Sequence, residues 1–292
     1  MQTEHKIIID DSRIMSRVED RSVHLIVTSP PYWNIKDYNH SEQIGNSQLY
    51  EEYLLDMKKV IQECFRVLHE GCRIAINIGD QYLRATEHGR YRVQPIPADL
   101  ISIGRDVGFD FMGNIIWRKV STTNTTGGGS WMGSIYFPRD GHITYEHEYI
   151  LLFKKLGTAP KVTKEQKEKS KLTKSQRSEW FRGIWTIPPV KQDEHVAMFP
   201  VELPQRLIKM YSFYGETVLD PFLGSGTTSL AAALEGRNSI GYEINQDFIP
   251  IIKKKIDRIG SDLFGNLSIQ FINSNKKNSV KNDSTLHSIP TS

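Results

Sequence analysis

The stretch Thr217-Val218-Leu219-Asp220-Pro221-Phe222-Leu223-Gly224-Ser225-Gly226-Thr227-Thr228 decides how this chain folds. Its first four residues form a short apolar run that reads as a buried strand. Gly224 and Gly226 follow, two positions where the backbone can approach a ligand closely because no Cβ intervenes. The alanine-rich segment after Thr228 reads as a helix whose first N–H groups are free to meet an acceptor. Residues 238–242 make the next strand, closed by Glu243 about twenty residues beyond the turn. Strand, glycine turn, helix, strand, acid is the layout of a nucleoside-binding half-fold, with Glu243 placed to accept from both ribose hydroxyls. No Lys-Ser/Thr follows the last glycine, as a phosphate-gripping loop requires. Thr228 and Ser229 follow Gly226, so the three-glycine dinucleotide fingerprint is incomplete as well. A cofactor with a nucleoside and no pyrophosphate fits, and S-adenosylmethionine is such a cofactor. A turn that merely packs strand against helix is the plainer alternative.

Outward from this unit, short β-type runs occur at 6–9, 23–27, 72–78, 109–120 and 145–155. Helical periodicity marks 49–68, 97–107, 199–213 and 247–259, with Pro200 at the start of the third. In the first helix Tyr53, Met57, Val60, Ile61, Cys64 and Leu68 recur at three- and four-residue steps, and Gly71 is expected to end it. Cys64 lies on that stripe and reads as core. The alternation predicts an α/β fold with a mostly parallel, seven-stranded sheet covered by helices on both faces. Asp10-Asp11-Ser12 closes the first strand. Those acids either cap a following helix-like segment, the simpler reading, or line a site at the strand terminus.

The 292 residues suffice for a full core in one or two domains, and 38% hydrophobic with 24% charged content is that of a soluble globular protein. No apolar stretch approaches membrane-spanning length, and the first five residues lack the regions of a signal peptide. Cys64 and Cys72 have neither metal nor disulfide spacing, which suits a reducing cytoplasm. A net charge of +3 announces nothing, but residues 154–182 hold ten Lys or Arg against three acids. Such a run is either a solvated linker or a segment that tracks a phosphate backbone, with Trp180 and Trp185 nearby. Residues 121–144, rich in Thr, Gly and Ser around Trp131, form an insertion long enough to be functional or disordered. After residue 274 the chain loses all periodicity and is expected to be a disordered tail.

A second stretch, Thr28-Ser29-Pro30-Pro31-Tyr32-Trp33, ends the apolar run at 23–27. Two consecutive prolines stiffen the loop and remove two donors at the carboxyl end of a strand, where open α/β sheets place ligands. The loop offers the Ser29 hydroxyl, the Pro30 carbonyl and two aromatics, Tyr32 and Trp33, that look exposed. That equipment suits a flat ring bearing an amine, although such turns also serve as plain corners. Residues 34–46 are polar and irregular, long enough for a mobile flap.

TSPPYW at 28–33 followed by LDPFLGSGTT at 219–228 resembles the class β amino-methyltransferases of DNA, in which the catalytic motif precedes the cofactor motif. HEYILLFKK at 147–155, GIWTIPP at 183–189, FPVELPQRLI at 199–208 and GYEIN at 241–245 are similar too, and the resemblance spans residues 6–259. It implies a circularly permuted Rossmann-like methyltransferase fold acting on double-stranded DNA, in a restriction–modification system with a cognate endonuclease. Catalytic parts would be 1–155 and 196–274, with a short recognition region at 156–195 and the tail at 275–292.

By the same resemblance, Ser29, Pro30, Pro31 and Tyr32 hold the target base, flipped from the duplex because its amine is otherwise out of reach. Asp220, Phe222, Gly224, Ser225, Gly226, Thr227 and Thr228 surround the methionine and ribose parts of S-adenosylmethionine, with Thr28 beside them. Phe199 and Pro200 pack at its methionine end, Glu243 holds the ribose, and Asp11 lies near the adenine. Lys161, Lys164, Lys167, Lys171, Lys174, Arg177 and Trp131 are the candidate DNA contacts, and no metal is implied. In this family a serine opening the motif leans towards N4 of cytosine, whereas Asp-Pro-Pro-Tyr leans towards N6 of adenine. Ser29 therefore favours cytosine, with adenine as the alternative. A catalytically silent DNA-binding subunit is disfavoured by the intact Ser29, Tyr32, Asp220 and Glu243. Protein-glutamine and ribosomal-RNA enzymes with a comparable motif place the glycine motif first.

Overall fold

The computed structural model describes residues 3–119, 139, 143, 145–188, 199–260 and 267–273. Trp131, most of the glycine-rich insertion, residues 189–195 of the expected recognition region and the tail lie outside them. The strands are β1 (Thr3–Ile9), β2 (Val23–Thr28), β3 (Leu68–Ile78), β4 (Gln81–Leu83), β5 (Arg92–Gln94), β6 (Phe109–Arg118), β7 (His147–Lys155), β8 (Ile184–Thr186), β9 (Thr217–Asp220), β10 (Asn238–Glu243) and β11 (Leu267–Asn273). The helices are α1 (Tyr50–Val67), α2 (Ala85–His88), α3 (Ile96–Val107), α4 (Lys164–Lys169), α5 (Lys174–Trp180), α6 (Glu202–Tyr211), α7 (Thr227–Leu234) and α8 (Ile249–Gly260).

Nine strands form one sheet in the order β11-β1-β10-β9-β2-β3-β7-β6-β8, and β4 with β5 makes a separate hairpin. The seven expected strands are all present in the large sheet. Two edge strands, β8 and β11, extend it beyond the expected seven. Within the large sheet every pairing is parallel except β3–β7 and β7–β6. The chain winds outward from β9 to β10 in one direction and from β2 to β3 in the other. The β2–β9 junction is therefore the switch point, where a crevice opens beyond the carboxyl ends of the strands.

Both faces of the sheet are covered. On one face, Tyr53, Met57, Val60 and Ile61 of α1 pack with Ile96 and Leu100 of α3 against Ile26, Ile74 and Ile76. On the other, Leu203, Leu207 and Ile208 of α6 join Ala231 and Ala232 of α7 against Leu25, Val27 and Val218. Each fully buried aliphatic of this kind contributes about 1.5–3 kcal/mol of transfer free energy.

Three local expectations change. Gly71 does not end α1; the helix stops at Val67 and the chain enters β3 at once. Gly71 sits inside β3 at φ +73°, where the β2 register jumps from Val23↔Leu68 to Leu25↔Arg73. A Cβ there would come within 2.5 Å of the Ala159 backbone nitrogen, so the bulge needs a glycine. No helix follows Asp11, whose carboxylate instead binds Arg13, so the helix-cap reading of the acids fails. Trp33 is buried rather than exposed, its Nε1 donating to the Gln48 carbonyl (2.9 Å).

Candidate active site

The proline-stiffened loop leaves β2 at Thr28 and is held from below by α1, where Tyr53 Oη donates to the Pro31 carbonyl (2.9 Å). Ser29 and Pro31 face a cleft, while Pro30 is buried. From β3, Asn77 Nδ2 donates to Tyr32 Oη (3.1 Å) and to Glu148 Oε2 (2.7 Å), and lies 3.4 Å from Ser29 Oγ. A single amide thus brings the two side chains of the loop to one point. Glu148 in turn pairs with Lys119. Burial, reinforced by the Glu148 charge, holds the Tyr32 phenol well above its ordinary pKa, so it stays neutral.

The cleft runs from the ends of β1 and β10 across the glycine turn to Ser29, about 880 Å³ including its open mouth. Of the expected cofactor residues, Asp11, Phe199, Phe222, Gly224, Ser225, Thr227 and Glu243 line it. Gly224 adopts φ +52°, and a Cβ there would meet nothing within 4 Å, so the turn leaves a cradle. Glu243 Oε2 accepts from Gly224 N–H (2.8 Å) and Oε1 from Asn245 N–H (2.9 Å), with lone pairs left for a ligand. Burial pushes this carboxyl up to about 7 against those two amides, with Asp220 adding to the rise. Asp11 is fixed by Arg13, whose guanidinium also binds Asp56 (2.6 Å) and the Glu42 carbonyl (3.1 Å).

Thr28, Asp220 and Thr228 lie beneath the turn, outside the cleft lining. Asp220 Oδ1 accepts from Thr28 Oγ1 (2.7 Å) and Phe222 N–H (3.0 Å), and Oδ2 accepts from Thr228 Oγ1 (2.6 Å). Burial raises its pKa to about 6 in spite of these bonds. Its carboxylate clamps β2, β9 and α7 together at the switch point. Gly226, at φ +85°, starts α7 against Ile252 and is likewise outside the lining, as is Pro200.

The sequence suggests no more than a flap at 34–46, yet Tyr38, Glu42, Gln43 and Ile44 form one wall of the cleft. Asn245 Nδ2 ties it down through the Tyr38 carbonyl (2.9 Å), and Gln43 through Tyr38 N–H (2.6 Å). No periodicity marks such a wall; its length is the one available signal. Tyr242 and Phe248 complete the lining around Glu243.

The basic run stands elsewhere. Helix α4 packs on the turn before β9, where Gln166 Nε2 donates to the Tyr214 carbonyl (3.1 Å) and Lys169 covers the Tyr214 ring. That turn is at the amino ends of the parallel strands, opposite the catalytic loop. Lys169 and Lys171 pair with Glu165 and Glu168. Helix α5 then runs beside α6, with Arg206 bound to Glu179 (2.8 Å) and lying over the Trp180 and Trp185 rings. The geometry therefore separates Lys161, Lys164, Lys167 and Lys171 from the catalytic loop, rather than gathering them beside it. Among the described residues no group of His, Cys, Asp or Glu is arranged to hold a metal ion, and no helix is long and apolar enough to cross a membrane.

A proline-stiffened loop and a cleft beside a glycine turn thus meet at the switch point of one sheet. Residues 23–254 match the family model of the N6/N4 DNA methylases, and the chain belongs to that family. It is 37% identical over 305 aligned residues to the type II methyltransferase M.MjaI of Methanocaldococcus jannaschii, covering 93% of this chain and 97% of that protein. With M.MthZI of Methanothermobacter thermautotrophicus it shares 36% identity over 88% of this chain and 78% of that one. A Thermus thermophilus protein described as a DNA modification methylase, solved with S-adenosyl-L-methionine, matches with a TM-score of 0.73 and 37% identity over 91% and 99% of the two chains. The chain is accordingly an S-adenosylmethionine-dependent DNA amino-methyltransferase of the restriction–modification class.

Proposed function

We propose that this enzyme methylates the exocyclic N4 amine of cytosine in duplex DNA, with the base flipped out against the loop that carries Ser29 and Tyr32. The observation that carries the proposal is the convergence of Ser29 Oγ and Tyr32 Oη on the Asn77 amide, at the edge of the cleft. S-adenosylmethionine in the cleft supplies an electrophilic methyl group. The chain's own residues make the amine able to accept it. An aromatic amine is a poor nucleophile while its lone pair is delocalised into the ring. Acceptors at Ser29 and at the Pro30 carbonyl favour a pyramidal, partly positive nitrogen, and so stabilise the transition state more than the ground state. Tyr32, kept neutral, stacks on the ring and fixes its plane. Much of the rate then comes from holding nitrogen and methyl in line.

Ser29 is the residue that favours cytosine. Duplex DNA methylated with labelled cofactor and digested to nucleosides is expected to yield labelled N4-methyldeoxycytidine. Labelled N6-methyldeoxyadenosine would replace that choice with the adenine alternative. Ser29→Ala and Tyr32→Ala are each expected to lower kcat by at least about a hundredfold, with the fold retained by circular dichroism. Unchanged turnover in both would remove the loop from the active site.

In the cleft, Glu243 is assigned to the ribose, Asp11 to the adenine end, and Phe199 and the glycine turn to the methionine end. Within the region 156–195, target recognition is assigned to the part around β8, which returns to the end of the sheet that carries Ser29 and where Thr186 pairs with Arg118. A cognate endonuclease cutting the same site is the expected partner.

A further inference from the structure

A charged residue stands behind the cleft, outside its lining. Lys255 of α8 reaches the glycine turn, where its Nζ donates to Ser225 Oγ (2.6 Å) and to Thr227 Oγ1 (3.0 Å). Both hydroxyl residues line the cleft, and both are almost enclosed, 7% and 5% exposed. A hydroxyl has one proton to donate and two lone pairs, whereas an ammonium has only protons. Lys255 therefore occupies a lone pair on each oxygen and leaves the hydroxyl protons to point elsewhere. The two oxygens are 3.4 Å apart, too far for a strong bond between them. Thr227 also opens α7, whose first N–H groups have no partner within the helix. Burial draws the Lys255 amine down to about 8, which still leaves it charged at neutral pH. With Lys255 on their lone pairs, the two hydroxyls can turn their protons into the cleft beside the first N–H groups of α7, and donors gathered in this way suit an anion. The only anionic group on S-adenosylmethionine is its carboxylate.

We infer that Lys255 is a positioning residue for the carboxylate end of the cofactor, acting through the hydroxyls of Ser225 and Thr227. The inference rests on the cleft being the cofactor site. It assigns a task to the third helix around the cleft, one that no residue of the glycine turn can perform alone: keeping two hydroxyl protons turned outward.

Calorimetric titration with S-adenosylmethionine and with decarboxylated S-adenosylmethionine separates a carboxylate role from a packing role. Lys255→Met is expected to weaken the first ligand by about tenfold or more, the worth of a charge-assisted hydrogen bond. The decarboxylated ligand should stay within about twofold, and Lys255→Arg should restore most of the difference. Ser225→Ala combined with Thr227→Val, in a chain that keeps Lys255, is expected to reproduce the selective loss. Equal weakening of both ligands in that double variant, or no weakening in Lys255→Met, would overturn the inference. Failure of the cleft assignment itself has a different signature: Glu243→Ala would leave both ligands bound as in the natural chain.

Discussion

Glu243 is asked to accept hydrogen bonds from a ligand while its surroundings favour the protonated acid. Its carboxyl titrates near 7 because it is buried, and only the ionised form offers acceptors to both ribose hydroxyls. Cofactor affinity should therefore rise as the pH climbs through about 7, and Glu243→Gln should flatten that rise in a calorimetric series. Stability responds with the opposite sign. The folded value lies above the unfolded one of about 4.3, so stability present at low pH is lost as the pH rises through 7. Asp220, near 6, acts in the same direction. His5 and His24, drawn down to about 4 by burial, gain stability over part of the same range, so the test is a difference: relative to the natural chain, cofactor-free Glu243→Gln should melt progressively higher as the pH is raised from 5 to 8. Asn77 offers a second test at this scale. Asn77→Ala removes the amide that Tyr32 Oη and Glu148 share, and is expected to lower kcat by about tenfold or more while cofactor Kd is unchanged. Ser29, Tyr32 and Glu243 were legible because motif spacing marks them. Asn77 was not, since its partners are chosen by strand pairing and lie 45 and 48 positions away in sequence.

At the scale of elements, the basic helices and the catalytic face separate. Charge reversal at Lys164, Lys167 and Lys171 is expected to leave the affinity for a short duplex within about twofold and its salt slope unaltered. Lys36, by contrast, is half-buried beside Lys119 and Glu148, and its pKa is lowered by burial and by Lys119. Lys36→Glu is expected to weaken duplex binding and reduce the salt slope by about one. Filter binding at several salt concentrations measures both. A run of lysines looks like a phosphate track because composition shows charge without showing which end of a sheet carries it. The Gly71 bulge was illegible for a related reason, as a glycine after an amphipathic segment is usually a cap. Strand β8 has three residues, too few for any period. Strand β11, Leu-Ser-Ile-Gln-Phe-Ile-Asn, does alternate over its first five residues, as an edge strand should.

For the molecule as a whole, the alternation of apolar runs and helical periodicity was enough to locate seven strands of the sheet. What it lacked was the wall built from residues 34–46, which makes the cleft a joint product of several elements. A ligand spanning that cleft contacts the ends of β1, β2, β9 and β10 at once, so it should stabilise the whole sheet. At a hundredfold excess over Kd, S-adenosylmethionine is expected to add about 2.7 kcal/mol and to raise Tm by roughly 5–10 °C in scanning calorimetry. The Thr28–Asp220 bond at the centre of the sheet joins positions 192 residues apart. On a ribosome moving at about 5–20 residues per second, β2 emerges roughly ten to forty seconds before the strand it must lie against. During that interval the growing chain carries β2 with the edge meant for β9 unpaired. On the proposed cofactor assignment, a nascent chain still lacking residues 217–243 has no place for a methyl donor, and an abandoned one is expected to leave DNA unmodified.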